Sequence, residues 1–165
     1  MNYRLLILSG GLALAGCGEA PAPAPKKESP ASFPAGEWEV TTVTQDVRST
    51  DGSTPSTVHK AGATSVAKLC GAPGPEPDPT RFTEKGDKCS ADSAYARGGR
   101  LNIAYKCDRP GKGMVMTTID GKYDSTSFEI ATAVGSYFTG AGDYALEQRI
   151  KGKRLGDCPP ATAAG

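Results

Sequence analysis

The sequence is poor in the residues that most catalytic, metal-binding and nucleic-acid-binding sites need. Its 165 residues include one histidine, His59, and aromatic residues make up only 7%. Any catalytic triad, histidine-rich metal site or proton shuttle would depend on His59, which we interpret as a surface or strand-edge residue. Lys and Arg total 19 against 18 Asp and Glu, a formal net charge of +1. A nucleic-acid-binding domain would show a basic excess, so we expect no nucleic-acid partner.

Motifs of familiar enzyme classes are also missing. The chain has no Gly-x-Ser-x-Gly elbow and no phosphate-binding loop. Cys89 and Cys107, the closest pair of cysteines, are 18 positions apart, whereas zinc and redox pairs are separated by only a few residues. We therefore expect a protein that is not an enzyme and that has no metal site and no cofactor.

The N-terminus has the pattern of an exported lipoprotein. Arg4 precedes an apolar run over residues 5–15, which is too short to cross a bilayer as a permanent helix and is typical of a signal peptide. The run ends in Leu-Ala-Gly before Cys17, which is similar to a bacterial lipobox. We predict a lipoprotein signal peptide at residues 1–16 and acylation of Cys17. Gly18 in place of an aspartate favours the outer membrane, with the protein facing the periplasm.

The composition divides the remaining chain into three parts. Residues 17–35 contain the lipidated cysteine and a Pro/Ala-rich stretch, which cannot bury enough apolar surface to fold and favours an extended, disordered tether. Residues 36–158 are predicted to form one disulfide-bonded β domain. Residues 159–165 are predicted to be a disordered tail.

The folded part is predicted to be mainly β. Segments rich in β-branched residues or alternating in polarity occur at residues 37–47, 65–70, 101–107, 114–119, 128–134 and 144–150. In the last segment Tyr144, Leu146 and Ile150 would share one face of a strand. No segment shows a convincing helical stripe. The pattern predicts a small antiparallel sheet, arranged as a single sheet, a sandwich or a half-barrel.

Four cysteines remain after Cys17 and predict two disulfides in an exported chain. A three-residue hairpin loop at residues 97–99 would place Cys89 opposite Cys107, so we predict that these two are bonded. A two-residue Gly98-Gly99 turn would put Cys89 opposite Asp108 instead. The pair Cys70–Cys158 then follows by elimination.

Four large side chains are candidates for lining a ligand pocket. They are Trp38, Met114, Met116 and Phe128. Packing in the core explains Trp38 better than ligand contact does. Met114 and Met116 alternate with Thr118, and we interpret them as core filling rather than as copper ligands.

A basic stripe lies on the last predicted strand. Arg149, Lys151 and Lys153 would share one strand face, and Arg154 adds a fourth charge. Such a stripe could contact lipid phosphates or a polyanion, but a solvated sheet face is favoured.

Taken in order, these motifs resemble a known family. The chain is similar to the proteobacterial exported proteins grouped as domain of unknown function 3617, through the segments Gly36-Glu37-Trp38-Glu39-Val40-Thr41-Thr42, Gly121-Lys122-Tyr123 before Ser127-Phe128, the later cysteines and Gly152-Lys153-Arg154-Leu155-Gly156-Asp157-Cys158. The resemblance implies an exported, disulfide-bonded domain of no established activity. It supplies no catalytic residues.

Two functions are compatible with these features. The first is a non-enzymatic binding or structural module of the bacterial envelope, anchored to the membrane through Cys17, whose partner is an unknown envelope protein. The alternative is a carrier that holds a small apolar ligand or lipid between sheet faces. An enzyme with an unrecognised site would need a carboxylate within hydrogen-bond reach of His59.

Overall fold

The computed structural model describes residues 32–71 and 82–159. The predicted signal peptide, the acylation site Cys17, most of the predicted tether and nearly all of the predicted tail lie outside the described residues. The described part contains seven strands and no helix: β1 (Gly36–Ser49), β2 (Thr64–Gly71), β3 (Lys88–Arg97), β4 (Arg100–Arg109), β5 (Gly113–Tyr123), β6 (Ser127–Phe138) and β7 (Tyr144–Gly156). No helix in this part is long and apolar enough to span a bilayer.

The strands form a single antiparallel sheet in the order β2-β1-β7-β6-β5-β4-β3. Strands β3 to β7 follow one another as a meander, β1 pairs along the far side of β7, and β2 folds back on β1. The sheet does not close into a barrel, because β2 and β3 are its two edges. The predicted mainly β antiparallel fold is therefore confirmed, as a single sheet and not a sandwich.

Strict alternation gives the sheet a core face and an outer face. Every second residue of β4, β6 and β7 is buried and its neighbours are exposed or half-buried, as the two-residue period of a strand requires. The predicted inward-facing residues of β7 are confirmed. The buried apolar side chains of the strands lie on the core face: Trp38, Val40, Leu101, Ile103, Tyr105, Cys107, Val115, Ile119, Tyr123, Phe128, Ile130, Val134, Tyr144, Leu146 and Ile150.

The sheet curls around its own core face. Ser65 on edge strand β2 and Val115 on β5 line the same cavity, although three strands lie between them in the sheet. In a flat sheet four strand spacings would separate them by about 19 Å. The strongly bent sheet therefore matches the predicted half-barrel more closely than a flat layer.

One disulfide forms as predicted, but through a different hairpin. Cys89 and Cys107 are bonded and lie directly opposite each other on β3 and β4. The predicted three-residue loop is wrong, because Gly98 and Gly99 form a two-residue turn with φ values of 59° and 75°, as the favoured hairpin turns require. A register shift between Ala91 and Ser93 then restores the pairing of the cysteines.

The second predicted disulfide does not form in the structure. Cys70 and Cys158 are exposed and are not bonded to each other. Register explains why: Glu37 of β1 is the partner of Cys70 on one side and of Gly156 on the other. Strand β1 therefore lies between β2, which carries Cys70, and the end of β7, which precedes Cys158. Pairing the cysteines by elimination ignores this intervening strand.

The folded domain begins earlier than predicted. Phe33 was placed in the disordered tether, yet only 2% of its surface is exposed. Its ring packs 5.4 Å from those of Tyr123 and Phe128 and 5.9 Å from that of Trp38, between ring centroids. The last residues of the predicted tether are thus part of the core.

Candidate functional site

A half-open cavity of about 100 Å³ lies on the core face. Its walls mix apolar and polar side chains from six strands and two loops. They are Thr42, His59, Ser65, Phe82, Thr83, Glu84, Asp87, Arg109, Val115, Thr117, Val134, Tyr144, Leu146, Gln148 and Ile150. We call it the core cavity.

A row of polar side chains crosses the core face beside the core cavity. Gln148 on β7 is the direct cross-strand neighbour of Thr44 on β1 and of Thr132 on β6. Its Nε2 donates to Thr44 Oγ1 at 3.3 Å, and its Oε1 accepts from Thr132 Oγ1 at 3.4 Å. Because unpaired buried amides and hydroxyls are costly, these contacts let three polar side chains occupy core positions.

Thr117 differs from the other buried threonines. Only 1% of its surface is exposed, and within the described residues its Oγ1 has no hydrogen-bond partner. The hydroxyl can donate one hydrogen bond and accept others, and the residue lines the core cavity. A buried polar atom next to open space is a binding site for water or for a ligand group.

An ion-pair cluster closes one end of the core cavity. Arg109 on β4 donates from Nε to Asp87 Oδ1 at 2.7 Å and from Nη2 to Asp87 Oδ2 at 2.8 Å. Its Nη1 lies 3.3 Å from Glu84 Oε2 and donates to the Ser56 carbonyl at 3.2 Å. The paired hydrogen bonds that Arg109 donates to Asp87 raise the pKa of Arg109 above its usual range. The fork geometry fixes residues 82–87, which we call the strap, against the sheet.

Tyr144 connects the ion-pair cluster to the middle of the sheet. Its hydroxyl donates to Glu84 Oε1 at 3.2 Å, and the same oxygen accepts from Thr57 Oγ1 at 2.5 Å. Burial, followed by the Glu84 charge, raises the pKa of Tyr144 to about 12. The Arg109 guanidinium also lies 5.6 Å from the centre of the Phe138 ring, within cation–π range. The hydrogen-bonding groups of the cluster thus satisfy one another, and its two carboxylates and one guanidinium give it a formal charge of −1.

The four predicted pocket residues do not form one pocket. Trp38 and Phe128 lie on the core face with ring centroids 5.3 Å apart, and the space between them and Phe33 is only about 10 Å³. Met114 and Met116 are half-buried on the outer face, because the residue between them, Val115, is buried on the core face. Their interpretation as core filling, and the predicted common pocket, are both wrong.

His59 lies closer to the candidate site than predicted. It is half-buried and lines the core cavity, where its Nδ1 lies 3.4 Å from Gln148 Nε2. Its ring thus meets an amide rather than a carboxylate. In the part of the chain that the structure describes, no group of three or more His, Cys, Asp or Glu side chains is arranged to hold a metal ion.

The basic stripe lies on the outer face, away from the core cavity. Arg149, Lys151 and Lys153 are exposed on one face of β7. Acidic residues lie beside them on the neighbouring strands. Glu129 on β6 is paired with Lys151, whose Nζ lies 3.3 Å from Glu129 Oε1, and Glu39 on β1 is paired with Lys153. The stripe is therefore part of a surface of mixed charge.

Sequence reasoning missed the residues that define the core cavity. Thr117 lies between Val115 and Ile119, and Gln148 lies between Leu146 and Ile150, so each occupies a core position in an alternating strand. A polar residue at such a position is the signal that could have identified them. No comparable signal relates Arg109 to Asp87, because their contact depends on where the strap lies.

A protein-family model matches most of the chain. The family model described as protein of unknown function (DUF3617) matches residues 30–158. The chain belongs to this family. The DUF3617 match covers the whole sheet, Phe33 and the strap, so the core cavity lies inside the family domain. No curated protein and no solved structure matches the chain.

Proposed function

We propose that this protein is a non-enzymatic binding module of the bacterial cell envelope. A lipid on Cys17 anchors it, in the outer membrane facing the periplasm, and the DUF3617 domain holds a small ligand in the core cavity. The lipobox-like sequence before Cys17 and the Pro/Ala-rich stretch after it support the anchor and the tether.

The observation that carries the binding proposal is the unpartnered hydroxyl of Thr117. Protein interiors are close-packed, and their buried polar groups are hydrogen-bonded. The core cavity departs from both rules at one place, since it combines about 100 Å³ of space with a buried hydroxyl that has no partner among the described residues. A ligand that fills the space and bonds the hydroxyl removes both costs.

The chemistry around the core cavity supports binding rather than catalysis. Glu84 and Asp87 are the carboxylates of its lining, and both contact Arg109. A general base must be able to take up a proton from a substrate. Both carboxylates are occupied by the Arg109 guanidinium and act here as anchors for the strap.

The anchor is tested by fractionating cells that express the natural chain or its Cys17→Ser variant. We expect the natural chain in the membrane fraction and the variant in the soluble envelope fraction, because the acylation position is lost. Equal membrane association of the two proteins would overturn the anchor.

Binding is tested by mass spectrometry of the protein extracted from its own envelope. The native spectrum should show a mass beyond the lipidated chain that disappears on denaturation. Identical native and denatured masses, with no gain in stability when envelope extract is added back, would overturn the binding proposal while leaving the anchor intact.

A further inference from the structure

The lining of the core cavity restricts the chemical class of its ligand. Resting on the proposed function, we infer that the ligand is a small neutral molecule, or the neutral end of one, with a hydroxyl or carbonyl group. That group bonds Thr117, and the apolar part lies against Val115, Val134, Leu146 and Ile150.

The ion-pair cluster excludes an ionic ligand. The acidic and basic residues of the lining are Glu84, Asp87 and Arg109, in addition to His59. Arg109 holds Asp87 through two short hydrogen bonds and Glu84 through a third contact. Two carboxylates face one guanidinium, so an anion would meet a net negative charge. A cation would meet carboxylate oxygens that Arg109, Thr57 and Tyr144 already contact. Either ion would therefore lose water without gaining a free partner, which is strongly unfavourable.

The polar groups exclude a wholly apolar ligand. Gln148 Nε2 donates to Thr44 and lies 3.4 Å from His59 Nδ1, and its Oε1 accepts from Thr132, so the amide is already satisfied. Thr117 is not, and a hydrocarbon placed against it would leave the hydroxyl buried and unpaired. An alcohol or a carbonyl compound accepts the Thr117 hydrogen, and an alcohol can also donate to its oxygen.

Size sets the scale of the bound group. The core cavity measures about 100 Å³, smaller than the roughly 150 Å³ cavity that holds benzene in another protein. It reaches solvent beside Ser65, which is exposed on β2. In proportion to benzene, about four non-hydrogen atoms fit inside, and a larger molecule, such as a substituted five-membered ring, would extend outward past β2.

Four probes that share one ring test this class. Cyclopentanol, cyclopentane, cyclopentanecarboxylate and cyclopentylammonium are titrated into the full chain carrying Cys17→Ser, with methyl NMR of the wall residues as the readout. We expect cyclopentanol to bind about fivefold more tightly than cyclopentane, the factor that one neutral hydrogen bond supplies. Both ions should bind more weakly still.

Two variants separate ligand contact from a structural role. Thr117→Val keeps the side-chain shape and removes the hydroxyl, so it should abolish the fivefold preference for cyclopentanol. It should also raise the melting temperature, because it removes an unpaired buried polar group. If Thr117 only supported the fold, Thr117→Val would have a lower melting temperature and would keep the preference for cyclopentanol over cyclopentane. The matched control is Thr118→Val, one position along β5 on the outer face, which should leave the probe affinities unchanged.

The outcomes distinguish this inference from the proposed function. Tightest binding by an ionic probe, equal binding of cyclopentanol and cyclopentane, or an unchanged preference in Thr117→Val would overturn the ligand class while leaving the binding function. If none of the four probes shifts the wall methyls, and the native spectrum shows no added mass, the binding proposal and the ligand class both fail.

Discussion

The two halves of the core face are built on the same strands but are packed in opposite ways. In the aromatic half, the rings of Phe33, Trp38, Tyr123 and Phe128 meet at centroid distances between 5.3 and 5.9 Å, and about 10 Å³ of space remains. The other half, which we call the open half, contains Thr117, the polar row of Thr44, Gln148 and Thr132, and about 100 Å³ of space. One sheet therefore combines a region packed for stability with a region that is left open.

Each half contains one buried polar atom that has no partner among the described residues. These atoms are Trp38 Nε1 and Thr117 Oγ1. Around Trp38 the space is about that of a single water, whereas Thr117 borders a cavity roughly ten times larger. The unpartnered atom therefore has no room for a ligand in the aromatic half, whereas in the open half it has room for one.

The largest expected effect is on the aromatic half. Trp38→Ala removes a side chain that is 1% exposed and should lower the free energy of unfolding by about 4 kcal/mol. The measurement is urea unfolding followed by tyrosine fluorescence or circular dichroism. Tyr137→Ala is the control, because Tyr137 is 58% exposed on the outer face, and it should change stability by less than about 0.5 kcal/mol. Equal losses in the two variants would contradict the assignment of the stabilising core to the aromatic half.

The aromatic half and the disulfide show what strand alternation can predict. Period-two patterns locate the strands and assign Tyr144, Leu146 and Ile150 to one face. The Cys89–Cys107 bond is correct although the predicted turn is not, because the register shift near Ser93 compensates for a loop one residue shorter. Register near a bulge depends on local backbone geometry, which residue types do not reveal.

The open half was harder to predict, for two physical reasons. Residue type predicts that a large apolar residue such as Met114 lies in the core. The core face of β5, however, is the one that carries the buried residues Val115 and Ile119. The Arg109–Asp87 contact joins β4 to the strap, and a contact between separate elements leaves no periodic trace in the sequence. Polar residues at core positions, such as Thr117 and Gln148, can be predicted from alternation.

A smaller effect is expected when one carbon is added to each half. In Gly152→Ala the new Cβ would collide with the Phe128 ring, and overpacking should cost about 1–3 kcal/mol. In Val134→Ile the added methyl extends from a wall of the core cavity and should change stability by between zero and a gain of about 0.8 kcal/mol. Chemical denaturation of both variants gives the comparison. A larger loss in Val134→Ile than in Gly152→Ala would mean that the open half is packed as tightly as the aromatic half.

The last effect concerns pH and is specific to the open half. Burial and the Glu84 charge raise the pKa of Tyr144 from 10.0 to about 12, so the folded chain keeps a proton that the unfolded chain loses. The stability supplied by this group is complete below pH 10 and is lost as pH rises toward 12, with a slope of at most about 1.4 kcal/mol per pH unit.

Tyr144→Phe removes both the titration and the hydrogen bond to Glu84. At neutral pH the variant should be about 1 kcal/mol less stable than the natural chain. Between pH 10 and 12 this difference should shrink, because only the natural chain is losing stability through Tyr144. Urea unfolding at each pH provides the two curves, and Tyr137→Phe, which alters an exposed phenol on the outer face, should keep the slope of the natural chain. Parallel curves for Tyr144→Phe and the natural chain would show that alkaline sensitivity does not originate in the open half, and that the Tyr144–Glu84 contact does not hold the strap as the geometry indicates.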